Sequence, residues 1–174
     1  MLANSRVRMS LHRLVAPLLC LCVLACTQTI AERARNDGTA SVQGDDPALR
    51  RATEMAQATL DDFLTKAKLL PAGTSAYALK VMIQEGSDTE YFWLDEFTWS
   101  DGSFTGRIND EPRRVKGIRP GQIVKFSRTQ IADWKYFDER KGRTFGNFTA
   151  CALLSKEPPA QAEEIKRRDG LDCP

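Results

Sequence analysis

From residue 49 to residue 70, apolar side chains recur at every third or fourth position: Leu49, Ala52, Ala56, Leu60, Phe63, Ala67 and Leu70. That spacing draws one stripe along an α-helix. Asp46 ahead of Pro47 is a strong start signal, an acceptor side chain at the N-cap with proline at the first helical position. Pro71 and Gly73 end the element. The period then falls to two. Tyr77, Leu79, Val81 and Ile83 alternate with Ala78, Lys80, Met82 and Gln84, which predicts a strand with one buried face. Residues 91–99, YFWLDEFTW, predict a second strand with Tyr91, Trp93, Phe97 and Trp99 on one side. Asp101-Gly102 is a hairpin signal, and Phe104, Gly106 and Ile108 alternate on the returning strand until Asn109 to Pro112 break it.

Further along, Arg119-Pro120-Gly121 predicts a tight turn, followed by a strand over 122–127. The segment 128–137, RTQIADWKYF, keeps no clean period and fits either a strand continued through a bend or a loop carrying Trp134. Residues 145–154 predict a last strand, and Ala160 to Arg168 a short helix with Lys166, Arg167 and Arg168 in the last turn, where cations are favoured. The fold class is α+β: about five antiparallel, strongly bent strands, an N-terminal amphipathic helix packed on the sheet, and a short C-terminal helix.

The N-terminal pattern is different in kind. Arg6, Arg8, His12 and Arg13 precede the apolar run from Leu14 to Ala25. A basic segment followed by a short apolar one is the layout of a signal peptide. The run falls short of the roughly 20 residues a spanning helix needs, and Pro17 interrupts it. It ends in Val23-Leu24-Ala25-Cys26, which resembles the lipobox of bacterial lipoproteins. The resemblance implies removal of residues 1–25 and lipidation of Cys26 with palmitate-type acyl chains. Its partner would then be the lipid bilayer of the cell envelope, the domain facing the periplasm. Thr27, in place of an aspartate, points to the outer rather than the inner membrane. Residues 26–46 are small and polar and read as a tether, with a reach of roughly 25 Å. Residues 47–174 then form one domain.

Loss of the leader changes the charge balance. The whole chain has 25 basic and 23 acidic residues and one histidine. Without Arg6, Arg8, Arg13 and His12 the balance turns slightly acidic and no histidine is left. No basic excess points to nucleic acid. A Ser-His-Asp triad, a Cys-His dyad and a histidine-bound zinc are all excluded, and no glycine-rich phosphate loop or cofactor motif is present. Cys20 and Cys22 leave with the leader and Cys26 carries lipid, so Cys151 and Cys173 remain as an even pair suited to a disulfide in an oxidising compartment.

From Tyr77 to Leu154 the chain resembles the DUF2314 (YegJ-like) family of uncharacterised bacterial proteins. The likeness is carried by Trp93, Gly106-Arg107-Ile108-Asn109 with Pro112, Gly121 before Val124, Ile131-Ala132-Asp133-Trp134, and Gly146 with Phe148-Thr149. Cys151 stands where the family usually places an arginine. The resemblance implies one small β-rich domain and no particular activity or cofactor.

Two functions fit these features. One is a non-enzymatic binding or accessory module of the envelope, taking an unknown envelope protein or cell-wall ligand. Asp133 and Trp134 are its candidate contact, a carboxylate beside a large amphipathic ring in an irregular segment; the structural alternative is that Trp134 plugs one end of the sheet while Asp133 holds a turn. The other is a small hydrolase of cell-wall material using carboxylates such as Asp95, Glu96 and Asp133, which needs two of them about 5–10 Å apart. Against it, one of the adjacent pair Asp95 and Glu96 must face solvent, and the other has Lys80 or Arg107 as a cross-strand partner.

Overall fold

Asp46 caps the first helix: its Oδ1 accepts the Ala48 N–H at 2.9 Å, with Pro47 at the first helical position. In the computed structural model, which describes residues 46–173, this helix is α1 (Pro47–Ala58). The leader, Cys26 and the tether up to residue 45 lie outside the described residues. The long stripe is shared by two helices, since the chain bends at Thr59 before α2 (Leu60–Leu69). The bend has two causes. The Thr59 hydroxyl donates back to the Met55 carbonyl at 2.8 Å, a bond that loosens a helix, and the Trp134 indole N–H takes the Ala56 carbonyl at 3.0 Å. Leu70, expected at the end of the stripe, is instead a left-handed cap and 64% exposed.

Six strands form one antiparallel sheet: β1 (Thr74–Glu85), β2 (Asp88–Ser100), β3 (Ser103–Ile108), β4 (Ile123–Ser127), β5 (Ile131–Asp138) and β6 (Arg143–Gly146). Their order is β4-β3-β2-β1-β5-β6. The fold is therefore α+β as expected, with six strands rather than five. The β2–β3 turn has Asp101 and Gly102 both at positive φ, the geometry that suits a two-residue hairpin. The irregular segment 128–137 resolves into a single 3₁₀ turn, Arg128–Gln130, and strand β5.

Two expectations are corrected. Residues 145–154 are not one strand. The chain leaves β6 at Gly146, passes Asn147, and enters helix α3 (Phe148–Leu154). Gly146 and Asn147 both have positive φ, 77° and 54°, which turns the chain sharply at that point. The C-terminal helix α4 (Pro159–Arg168) follows as expected. Nor do Tyr91, Trp93, Phe97 and Trp99 share a face. Glu96 has φ 45°, and the β2–β3 register slips between Asp95 and Thr98. This bulge reverses the alternation. Phe92 and Leu94, then Phe97 and Trp99, face the helices, while Tyr91 and Trp93 face the other way.

The main core lies between α1–α2 and one sheet face, around Leu60, Phe63, Leu79, Phe92, Leu94 and Trp134. Phe63 stacks on Trp134 at 4.9 Å between ring centres and on Phe97 at 5.8 Å. A second cluster joins Leu49 of α1 to Leu153, Leu154, Ala162, Ile165 and Leu171. It packs α3 and α4 beside the opposite sheet face. The Cys151–Cys173 disulfide, with a Cα–Cα distance of 5.5 Å, ties α3 to the C-terminal segment. The sheet is thus covered by α1–α2 on one face and only partly by α3–α4 on the other, and that partial cover leaves a hollow.

Candidate functional site

Strand register assembles the hollow. Lys80 of β1 lies opposite Trp93 of β2 on one side and Asp133 of β5 on the other. Ala78, two residues back on the same face, lies opposite Lys135. With only a methyl group at Ala78, the Lys135 side chain crosses β1 diagonally and places its ammonium 4.3 Å from the centre of the Trp93 ring. The Lys80 ammonium is 5.9 Å from the same ring and 6.0 Å from that of Tyr91. Two cations thus converge on one indole, each within cation–π range. The cavity they border has a volume of about 470 Å³, and Ala150, Leu153 and Leu171 contribute its apolar wall. That is the size of an ordinary small-molecule site.

Carboxylates surround the lysines without closing on them. Asp110, from the break after β3, accepts the Trp93 backbone N–H at 2.6 Å and fixes the rim. Asp169 on the far wall is held by Arg168 at 2.8 Å. Asp133 is fully buried. Its Oδ1 accepts the N–H groups of Trp134 (2.8 Å) and Phe148 (3.3 Å). Its Oδ2 accepts the N–H and the hydroxyl of Thr149, at 2.8 and 2.7 Å. Four donors satisfy it. The Lys80 ammonium donates to the Thr149 hydroxyl oxygen at 3.2 Å, so Thr149 links the two charges.

Burial moves these groups. It pushes the Asp133 carboxyl above its ordinary range, opposed by the Thr149 hydrogen bonds, the nearby Lys80 ammonium and the Trp134 N–H. It pulls Lys80 below the ordinary lysine range, opposed by Asp133 and Asp110 and assisted by Lys135. Lys135 is lowered for the same reason, again opposed by Asp110 and Asp133.

Asp133 and Trp134, expected together as a contact surface, are placed on opposite faces of β5, and both are inside. Trp134 is 8% exposed, stacked on Phe63 and bonded through its indole to Ala56 and Thr59. Asp133 holds the start of α3. Trp134 belongs to the main core, and Asp133 serves a helix start. Cys151 and Cys173 are joined, while Cys26 is outside the described residues. Of the carboxylates the hydrolase reading named, Glu96 forms an exposed ion pair with Arg107, and Asp95 is opposite Arg107 in the β2–β3 ladder.

The sequence suggests Lys80 only as a cross-strand partner of Asp95 or Glu96, and gives neither Lys135 nor Asp110. The one signal for Lys80 is that its nearest neighbours on the same face of β1, Ala78 and Met82, are apolar. Lys135 and Asp110 carry no local signal, because only the register brings them to Trp93.

A family model described as an uncharacterised protein conserved in bacteria (DUF2314) matches residues 46–173. The uncharacterised protein YegJ of Escherichia coli (strain K12) is 32% identical over 124 residues, 71% of this chain and 78% of that one. A putative ankyrin repeat protein of Neisseria meningitidis serogroup B is 25% identical over 138 residues, 75% of this chain and 53% of that one. No solved structure matches significantly. With a family model covering the whole described region, the chain belongs to the DUF2314 family.

Proposed function

We propose that this chain is a lipid-anchored bacterial envelope protein whose folded domain is a non-enzymatic binding module, with the hollow at Trp93 as its binding site. The observation that carries the binding reading is the convergence of Lys80 and Lys135 on Trp93 beside a cavity of about 470 Å³. The anchor rests on the sequence alone, on Val23-Leu24-Ala25-Cys26; the same pattern supports a periplasm-facing domain, and Thr27 after it supports the outer membrane. The remaining partner is a ligand or protein of the envelope.

The hydrolase alternative has less support. A catalytic carboxylate must offer an oxygen to its substrate, and both Asp133 oxygens are engaged by donors. Thr149 beside Lys80 suggests a hydroxyl–amine nucleophile, but Thr149 is 1% exposed and its hydroxyl donates to Asp133.

Two measurements test the reading. Cys26→Ser should move the protein out of the membrane fraction and abolish palmitate labelling; continued labelling would refute the anchor. Native mass spectrometry of protein purified from envelopes should show a retained small molecule that Trp93→Ala loses. Release of soluble fragments from cell-wall material, lost on substitution of the carboxylates, would favour the hydrolase instead.

A further inference from the structure

The hollow offers one kind of unmet chemistry. Two ammonium groups carry six N–H donors between them. Among the described residues, Lys80 spends one on Thr149, and Lys135 has no hydrogen-bond or ion-pair acceptor, only the face of Trp93. Neither approaches a carboxylate as an ion pair. The nearby carboxylates are committed elsewhere: Asp133 to the start of α3, Asp110 through one oxygen to the Trp93 N–H, and Asp169 to Arg168. Formal charge among Lys80, Lys135, Asp110 and Asp133 is balanced, so net charge does not select the ligand. Hydrogen bonding does, because donors outnumber free acceptors at the mouth of the cavity.

Both lysines are half-buried, so their ammoniums are partly shielded from water, and an anionic oxygen between them supplies the acceptor that the neighbouring side chains do not. Beyond the lysines the wall turns apolar, through Ala150, Leu153 and Leu171, and the Trp93 and Tyr91 rings lie beside the cations. On the reading of this hollow as the binding site, we infer that its ligand is an organic anion: a carboxylate or phosphate held by Lys80 and Lys135, with an apolar body lying between the Trp93 ring and α3. The lowered lysine pKa values agree with this, since both ammoniums are already partly stripped of water.

Equilibrium dialysis of the purified full chain against four probes tests the inference. The probes are 4-phenylbutyrate, phenyl phosphate, the neutral 4-phenylbutanol and the cation 4-phenylbutylammonium. The two anions should bind at least ten-fold tighter than the alcohol, and the cation should not bind. The ratio between the two anions decides whether carboxylate or phosphate is the preferred head group. Lys135→Met should weaken anion binding at least ten-fold without lowering the melting temperature, and Lys135→Arg should restore most of it. Because Lys80 sits in a buried network, Lys135 is the cleaner variant. Equal binding of alcohol and anion, or preference for the cation, overturns the anion assignment while leaving the hollow as a site. If no probe binds, the assignment fails, and the retained small molecule sought by native mass spectrometry decides separately whether the hollow is a binding site.

Discussion

Lys80 and Asp133 stand directly opposite each other across β1 and β5, yet their charges meet through Thr149, which accepts from Lys80 at 3.2 Å and donates to Asp133 at 2.7 Å. The hydroxyl works in both directions at once, and it comes from α3 rather than from the sheet. The floor of the hollow is thus bonded to its wall through one side chain. Thr149→Val keeps the shape and removes the link. It should destabilise the protein by about 1–3 kcal/mol, the usual cost of stranding a buried polar partner. Urea denaturation measures this, and an unchanged midpoint would show that the link contributes nothing.

Gly146 sets the direction of α3. A Cβ there would meet the Trp134 carbonyl oxygen and lie 2.6 Å from Cζ3 of the Trp134 ring, at a φ of 77° that disfavours any side chain. Gly146→Ala combines overpacking with left-handed backbone, and the two together should cost about 2–5 kcal/mol. A thermal melt within a degree of wild type would mean that β5 and β6 separate more easily than their packing implies.

The loop from 109 to 122 that carries Asp110 is held by a buried acid. Glu90 is 2% exposed, and its carboxylate accepts the backbone N–H groups of Arg113, Arg114 and Val115 at 3.0 to 3.2 Å. Glu90→Gln puts an NH₂ group among these donors. Amide hydrogen exchange at 113–115 should rise at least ten-fold, with a stability loss of about 1–3 kcal/mol. Unchanged protection at these amides would place the anchor elsewhere.

The Cys151–Cys173 disulfide closes a separation of 22 residues, worth about 3 kcal/mol in the chain-entropy view. Because Leu153, Ile165 and Leu171 pack together in the second cluster, its loss should loosen α3 and α4 before the sheet. Hydrogen exchange on the Cys151→Ser, Cys173→Ser double variant should rise in 159–171 and hold in β1 and β2. A uniform rise across the sheet would contradict this order.

Local chemistry was legible in the sequence, and distant pairing was not. The Asp46 cap and the Asp101-Gly102 turn each depend on residues a few positions apart, and each stands as read; the stripe from Leu49 to Leu70 is helical as expected but broken at Thr59, with Leu70 exposed. Helix α3 has the local pattern of a strand, because Phe148, Thr149 and Cys151 are β-prone, whereas its first N–H groups are satisfied by Asp133, some 15 residues away. The face of Trp93 is not legible locally, because nothing in the pattern announces the left-handed Glu96. Asp133 and Trp134, the expected contact pair, hold α3 and the α1–α2 bend. The hollow exists only once Lys80, Trp93 and Lys135 are in register, and register is a property of the assembled sheet.

The site on Trp93 is tested most directly by titrating the Lys80 and Lys135 amines by NMR, without and with 4-phenylbutyrate. In the free protein, burial holds both below the ordinary lysine value of 10.5, with Asp133, Asp110 and the neighbouring lysine as the charged groups in range. An anion binds the ammonium form, so it must raise these pKa values; by linkage, its affinity is constant below the free-protein pKa and falls as pH rises through it. The expected result is two depressed titrations that move upward when the anion is added. Two lysines that titrate near 10.5 and do not respond to the anion would contradict a desolvated anion site at Trp93.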